Sequence, residues 1–205
     1  MRNLLNYDGP VLRFITKIVQ SVWLNILWMV CCIPIITIGA STTALCYTCQ
    51  KIARDEDGYI TKAFFHAFRE QFGKSTAIGV IMTVVGLALS VDGYILYHLC
   101  FTAPIWAFLS AVLIVAGIAY IIVALWIFPL HAHFDNTIPA LFKNSIMIGM
   151  RFIVCTVVMF CVILAMGALI YYICTPCIVF GMGTCALLNA MIMKNILIQC
   201  EQAQA

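Results

Sequence analysis

Four groups of residues carry side chains able to do chemistry. The first is Asp92, the one carboxylate well inside an apolar run, seven residues from the end of Ala77–Leu99. A charge at mid-bilayer depth costs at least about 2.5–3.5 kcal/mol, and less near the interface. A carboxylate held there is a candidate proton or cation site, with Asn25 and Asn189 from other apolar runs as partners. The plainer reading is a carboxyl close to the outer interface, hydrogen-bonded between helices or reaching water. A full transport pathway calls for more intramembrane polar groups than one aspartate and two asparagines.

The second group is "CTPC", Cys174–Cys177, a spacing able to form a reactive thiol pair, with Cys100 at the same end of the molecule. Small residues at a proline-kinked turn account for it equally simply. "CYTC", Cys46–Cys49, is a weaker version in a chain with 11 cysteines. The third is "HAHFD", His131–Asp135, whose alternate residues share a face only in an extended segment. The fourth is "RDED", Arg54–Asp57, where three adjacent carboxylates lack a His or Cys at metal spacing. No Gly-rich phosphate loop, nucleophile elbow or zinc-protease helix motif occurs. These residues predict no catalytic centre, no metal and no cofactor.

The elements that hold them are set by composition. Hydrophobic residues make up 64% of the 205 and charged residues 9%, and mean hydropathy is +1.07. Soluble domains sit near half apolar and a quarter charged, so the chain reads as one polytopic membrane domain over residues 1–205. A formal charge of +3 with scattered basic residues argues against a nucleic-acid partner. Runs long enough for a ~30 Å hydrocarbon core are Ala77–Leu99, Pro104–Leu130, Ile146–Ile173 and, shorter, Cys177–Met193.

The opening run is longer. No charge occurs between Lys17 and Lys51, a stretch of roughly 50 Å as one helix at 1.5 Å per residue. Its middle reads "CCIPIITIGAST": Pro34 breaks a helix, Gly39 frees the backbone, and Ser41 or Thr42 can cap a new helix. The expectation is a hairpin, with one helix to about Cys32, a turn over Pro34–Ala40 and a short helix returning to about Arg54. Basic residues are retained on the cytoplasmic side. With the hairpin all 11 lie there, both termini are cytoplasmic, and the bundle has six membrane helices. A single crossing would place Arg2, Arg13 and Lys17 outside.

Two amphipathic elbows flank later spans. In "YITKAFFHAFREQF", Phe64, Phe68 and Phe72 recur every four residues, with Lys62, His66, Arg69 and Glu70 largely opposite. "FDNTIPALFKNSI" repeats the theme with Ile138, Phe142 and Ile146 apolar. The regions 60–100 and 134–174 align without gaps at an offset of 74, a weak internal repeat. Lys51 and Arg54 suit a helix C-terminus, leaving Asp55–Asp57 in a solvated turn. The fold expected is therefore all-α, a transmembrane bundle of five long segments plus a short returning helix, with two interfacial elbows.

Three stretches carry a family resemblance: "CCIPIITIGASTTAL" (Cys31–Leu45), "ARDEDGYITKAFFHAFREQF" (Ala53–Phe72) and "WIFPLHAHFDNT" (Trp126–Thr137). At these the chain resembles the YesL family of bacterial integral membrane proteins, over nearly its whole length. It departs at His133, where the family more often carries arginine, which favours a surface basic group there over a metal ligand. The resemblance implies a multi-pass protein of the bacterial cytoplasmic membrane, without catalytic residues to carry over. Genes of the family tend to lie beside carbohydrate uptake and polysaccharide-degradation genes. That implies a non-enzymatic accessory, with the bilayer and a carbohydrate ABC permease as partners, and Phe64, Phe68, Arg69 and Phe142 as contact surface. The alternatives are a small transporter or channel centred on Asp92, and a thiol oxidoreductase using Cys174 and Cys177.

Overall fold

The structure, a computed structural model, describes residues 10–54, 56, 59–99, 104–134, 136–172 and 178–204. Among these there are eight α-helices and no strand. They are α1 (Pro10–Cys31), α2 (Ile38–Ala53), α3 (Ile60–Glu70), α4 (Phe72–Leu99), α5 (Pro104–His133), α6 (Ile138–Arg151), α7 (Ile153–Tyr172) and α8 (Ile178–Gln204). Among the described residues three segments are long and apolar enough to cross a membrane: Phe72–His98, Ile105–His133 and Ile153–Tyr172. Their large side chains are mostly exposed, Val84, Leu87, Val112, Val115, Val154 and Leu164 among them. Apolar surface on that scale is stable only in contact with lipid or protein. The chain is an integral membrane protein.

The helix at the centre is not one of the most hydrophobic. α2 packs against α1, α3, α4, α5 and α8, and Gly39, Ala40, Ser41, Thr43, Ala44, Thr48, Cys49 and Ala53 are all buried. Small residues let neighbouring backbones approach closely. The threonine hydroxyls do not oppose burial, because each bonds back to its own helix: Thr42 to Ile38 O at 2.7 Å, Thr43 to Gly39 O at 3.0 Å and Thr48 to Ala44 O at 2.8 Å. The closest approach is to α4. A Cβ on Gly39 would meet the Ser75 carbonyl oxygen and lie 2.9 Å from the Gly79 Cα.

The opening run does fold back at Pro34. α1 ends at Cys31, a 3-10 turn occupies Ile35–Thr37, and α2 begins at Ile38. Thr37 Oγ1 donates to both Cys31 O and Pro34 O at 2.6 Å, closing the turn. Trp28 Nε1 donates to Thr42 Oγ1 across the hairpin at 3.3 Å. The expected turn is corrected at its far edge. Gly39 lies inside α2 and serves helix contact rather than reversal, and neither Ser41 nor Thr42 caps the helix, which starts before them.

At its other end α2 is held by three polar contacts. Lys194 Nζ on α8 donates to Ala53 O at 3.1 Å, which suits both the open carbonyls and the negative pole of a helix C-terminus. Gln50 Nε2 donates to Pro129 O on α5 at 2.9 Å, and Arg54 Nη2 lies 3.3 Å from His133 Nε2. Lys51 pairs loosely with Glu56 at 3.8 Å. Asp55, Asp57 and Arg2 lie outside the described residues.

The elbows are packed into the bundle more deeply than their patterns predict. α3 buries Phe64 and Ala67 against a cluster containing Leu24, Leu45, Cys49 and Ile52. Lys62, Phe65, His66, Arg69 and Glu70 face outward. In α6 the buried stripe is Leu141, Ser145 and Gly149, whereas Ile146 is exposed and Ile138 and Phe142 are half-buried. The reason is Gly149, which lets α6 lie directly on Ile122 and Trp126 of α5. The run Ile146–Ile173 is accordingly not one helix. It breaks at Phe152, where Thr156 Oγ1 donates to Gly149 O and Phe152 O while accepting from Trp126 Nε1 at 2.9 Å. The breaks at Gln71 and Phe152 lie further apart than the offset of 74.

Candidate functional site

A cavity of about 770 Å3 lies beside α2, walled by residues of α1, α2, α4, α5, α7 and α8. Its size falls in the range that holds one drug-sized molecule, about 300–1,000 Å3. Glycines shape it. Gly39 and Gly79 bring α2 and α4 together on one side, and Gly86 makes room for Tyr120, whose hydroxyl would lie 2.6 Å from a Cβ there. The walls are apolar and rich in sulfur: Met29, Met82, Met159, Met166, Met182 and Met193, with Cys46 and Cys185. Thioether chains are unbranched and polarizable, so such a wall adapts to an occupant's shape.

The polar groups on the wall are few: Thr42, Gln50, Thr83, Tyr120 and Asn189. The hydroxyl donors of Thr42, Thr83 and Tyr120 and one N–H of Gln50 are committed. Thr42 and Thr83 bond back to Ile38 O and Gly79 O, Gln50 Nε2 donates to Pro129 O, and Tyr120 OH donates to Met82 O at 3.0 Å. Asn189 Oδ1 is buried without a hydrogen-bond partner. Among the described residues no Asp, Glu, Lys, Arg or His lines the space.

The three intramembrane polar candidates do not converge. Asn189 lines the cavity; Asn25 and Asp92 do not. Asn25 is fully buried where α1 crosses α8, and its Oδ1 accepts the Gly183 N–H at 3.2 Å. A Cβ on Gly183 would strike the Ser21 carbonyl, so glycine and asparagine together make that crossing possible. Asp92 is exposed on α4, two residues before Tyr94. Tyr94 and Tyr97 on α4 and Tyr171 and Tyr172 on α7 are exposed near the ends of their helices, as aromatic side chains at a membrane–water boundary are. Asp92 thus sits beside an interfacial band.

Of the expected contact residues, Phe64 must be reassigned. It has no exposed surface and packs against α1 and α2, so it fixes α3 instead of presenting it. Phe68 and Phe142 are half-buried, and Arg69 is exposed. Phe68 stacks on Phe64 with ring centres 6.4 Å apart. Cys100, Cys174, Cys177 and Asp135 lie outside the described residues. Among the described residues no three His, Cys, Asp or Glu side chains gather as a metal site. His131 is fully buried, and His133 meets Arg54.

Comparison with known proteins adds relatives whose own roles are open. Residues 21–93 match a family described as "Protein of unknown function, DUF624". That segment spans the second half of α1, the hairpin, all of α2 and α3, and most of α4. The chain is 24% identical over 200 residues to "Uncharacterized protein YteU" of Bacillus subtilis (strain 168), covering 95% of this chain and 88% of the relative. It is 25% identical over 138 residues to "Uncharacterized protein YesV" of the same organism, covering 64% of each. No solved structure matches.

Sequence reading picked out Asn189 but missed Thr42, Gln50 and Tyr120. Gln50 and Tyr120 are polar residues in otherwise apolar surroundings, and that was their available signal. Two of the resemblance motifs contribute walls: Ile36, Ile38, Gly39, Thr42 and Leu45 from one, Phe128 and Pro129 from another.

Proposed function

We propose that this chain is a non-enzymatic accessory of the bacterial cytoplasmic membrane, working beside the permease of a carbohydrate ABC uptake system. The observation that carries the reading is the two-faced seating of α3. Phe64 and Ala67 anchor it in the bundle, while Lys62, Phe65, His66 and Arg69 form an exposed ledge of mixed cationic and aromatic character. Aromatic and Arg side chains held on a rigid element are typical contact anchors. The carbohydrate link rests on the YesL resemblance. In this reading six helices cross the bilayer, the basic residues face the cytoplasm, and the ledge meets the permease there.

The test is recovery of the tagged full chain from membranes in mild detergent, with quantitative mass spectrometry. An ABC permease subunit should be enriched over an unrelated tagged membrane protein. Lys62→Glu with Arg69→Glu should lower that enrichment without lowering the amount of the chain. Equal permease recovery with the unrelated protein would end the proposal. A transport route centred on Asp92 draws no support from an exposed carboxylate that stays off the cavity wall.

A further inference from the structure

We propose that the cavity beside α2 is a slot for one acyl chain of a bilayer phospholipid, which enters between the spans while its headgroup stays outside. This goes beyond the accessory role and does not depend on it.

The central helix shows the slot from within. α2 packs against five other helices, yet Thr42 and Cys46, one turn apart on it, stay half-buried and line the cavity. Ala124 and Phe128, one turn apart on α5, do the same. The wall that α2 supplies runs from Ile38 to Gln50, about 18 Å at 1.5 Å per residue. A volume of about 770 Å3 drawn out over that length has the shape of a chain.

The occupant is set by what surrounds the rim. Ile36, Val80, Val84 and Ile163 line the cavity and are also exposed. Val80 and Val84 belong to the segment Phe72–His98 and Ile163 to Ile153–Tyr172, both long and apolar enough to cross a membrane. In a bilayer the medium at that rim is hydrocarbon. Water entering there finds little to bond, because the hydroxyls of Thr42, Thr83 and Tyr120 already donate to backbone carbonyls. The carboxamides of Gln50 and Asn189 lie one and five residues from Lys51 and Lys194, towards the charged end of the bundle. Left empty, the apolar walls would forfeit dispersion contacts. An acyl chain restores them, and the thioether side chains adapt to its bends. The phosphate does not follow. Among the described residues no Asp, Glu, Lys, Arg or His lines the space, and burial penalises an unpaired charge heavily.

The probe is phosphatidylcholine with a diazirine midway along one acyl chain, added in trace to phosphatidylcholine vesicles holding the full chain and photolysed. Mass spectrometry should find adducts on the inner walls, at Cys46, Ala124 or Phe128. Their yield should be comparable with that at Leu87 and Val112, which are exposed and off the cavity wall. Cys46→Phe, which places a ring in the slot, should abolish the adducts at Ala124 and Phe128 and leave those at Leu87 and Val112 unchanged. Adducts confined to outward residues in the unchanged chain would overturn the proposal, whether the slot is then dry, wet or filled by a helix of another copy. That result stands even if Cys46→Phe fails to fold. Inner adducts that persist in a folded Cys46→Phe chain would overturn it as well.

Discussion

Lys194 gives the clearest case of one side chain doing structural work. Its ammonium donates to the Ala53 carbonyl, where α2 runs out of internal partners. Lys194→Met should destabilise the chain by about 1 kcal/mol in denaturant titration in detergent, and Lys194→Arg should recover most of it. Asn25→Leu should cost more, because it removes the acceptor of the Gly183 N–H and forces a branched side chain into a fully packed crossing. Asp92→Asn should change stability by less than about 0.5 kcal/mol, as exposed substitutions do. An aspartate in an apolar run drew attention in the sequence because its depth could be counted. Its outward direction could not, since a helix interrupted by one polar residue shows no periodicity to say which way that residue points.

At the scale of elements, α2 and α3 carry the arrangement. α2 touches α4 backbone to backbone at Gly39 and Gly79. Gly79→Leu should therefore lower the yield of folded protein sharply, whereas Gly73→Leu, where a Cβ meets nothing within 4 Å, should be tolerated. For α3, Phe64→Ala should cost about 3–5 kcal/mol. Phe65→Ala, on the exposed side, should stay within about 0.5 kcal/mol. The hairpin was legible because Pro34 has only a few uses in a helical chain. The centrality of α2 was not. Hydropathy scores glycine and threonine as poor core residues, yet these permit close helix contact, the threonine hydroxyls of α2 being satisfied within the helix. The break at Phe152 was equally hidden, since no proline marks it. It depends on Thr156 and on α6 lying across Trp126, contacts between residues whose meeting no local pattern encodes.

The whole molecule joins two features that differ in legibility. Its membrane character follows from composition. Its cavity follows from how five helices diverge beside α2, a property of inter-helix geometry that no stretch of sequence contains. Both depend on the opening run doubling back, because α2 supplies one wall of the cavity and directs Lys51 and Arg54 to the end of the bundle where α5 and α8 deliver His133 and Lys194. Side-specific labelling tests this directly. Lys17→Cys and Lys51→Cys, each made alone in a cysteine-free chain, are treated with a membrane-impermeant maleimide in intact cells and in inverted vesicles. The account predicts that both label from the same face, in the inverted vesicles. Labelling of the two from opposite faces would contradict it.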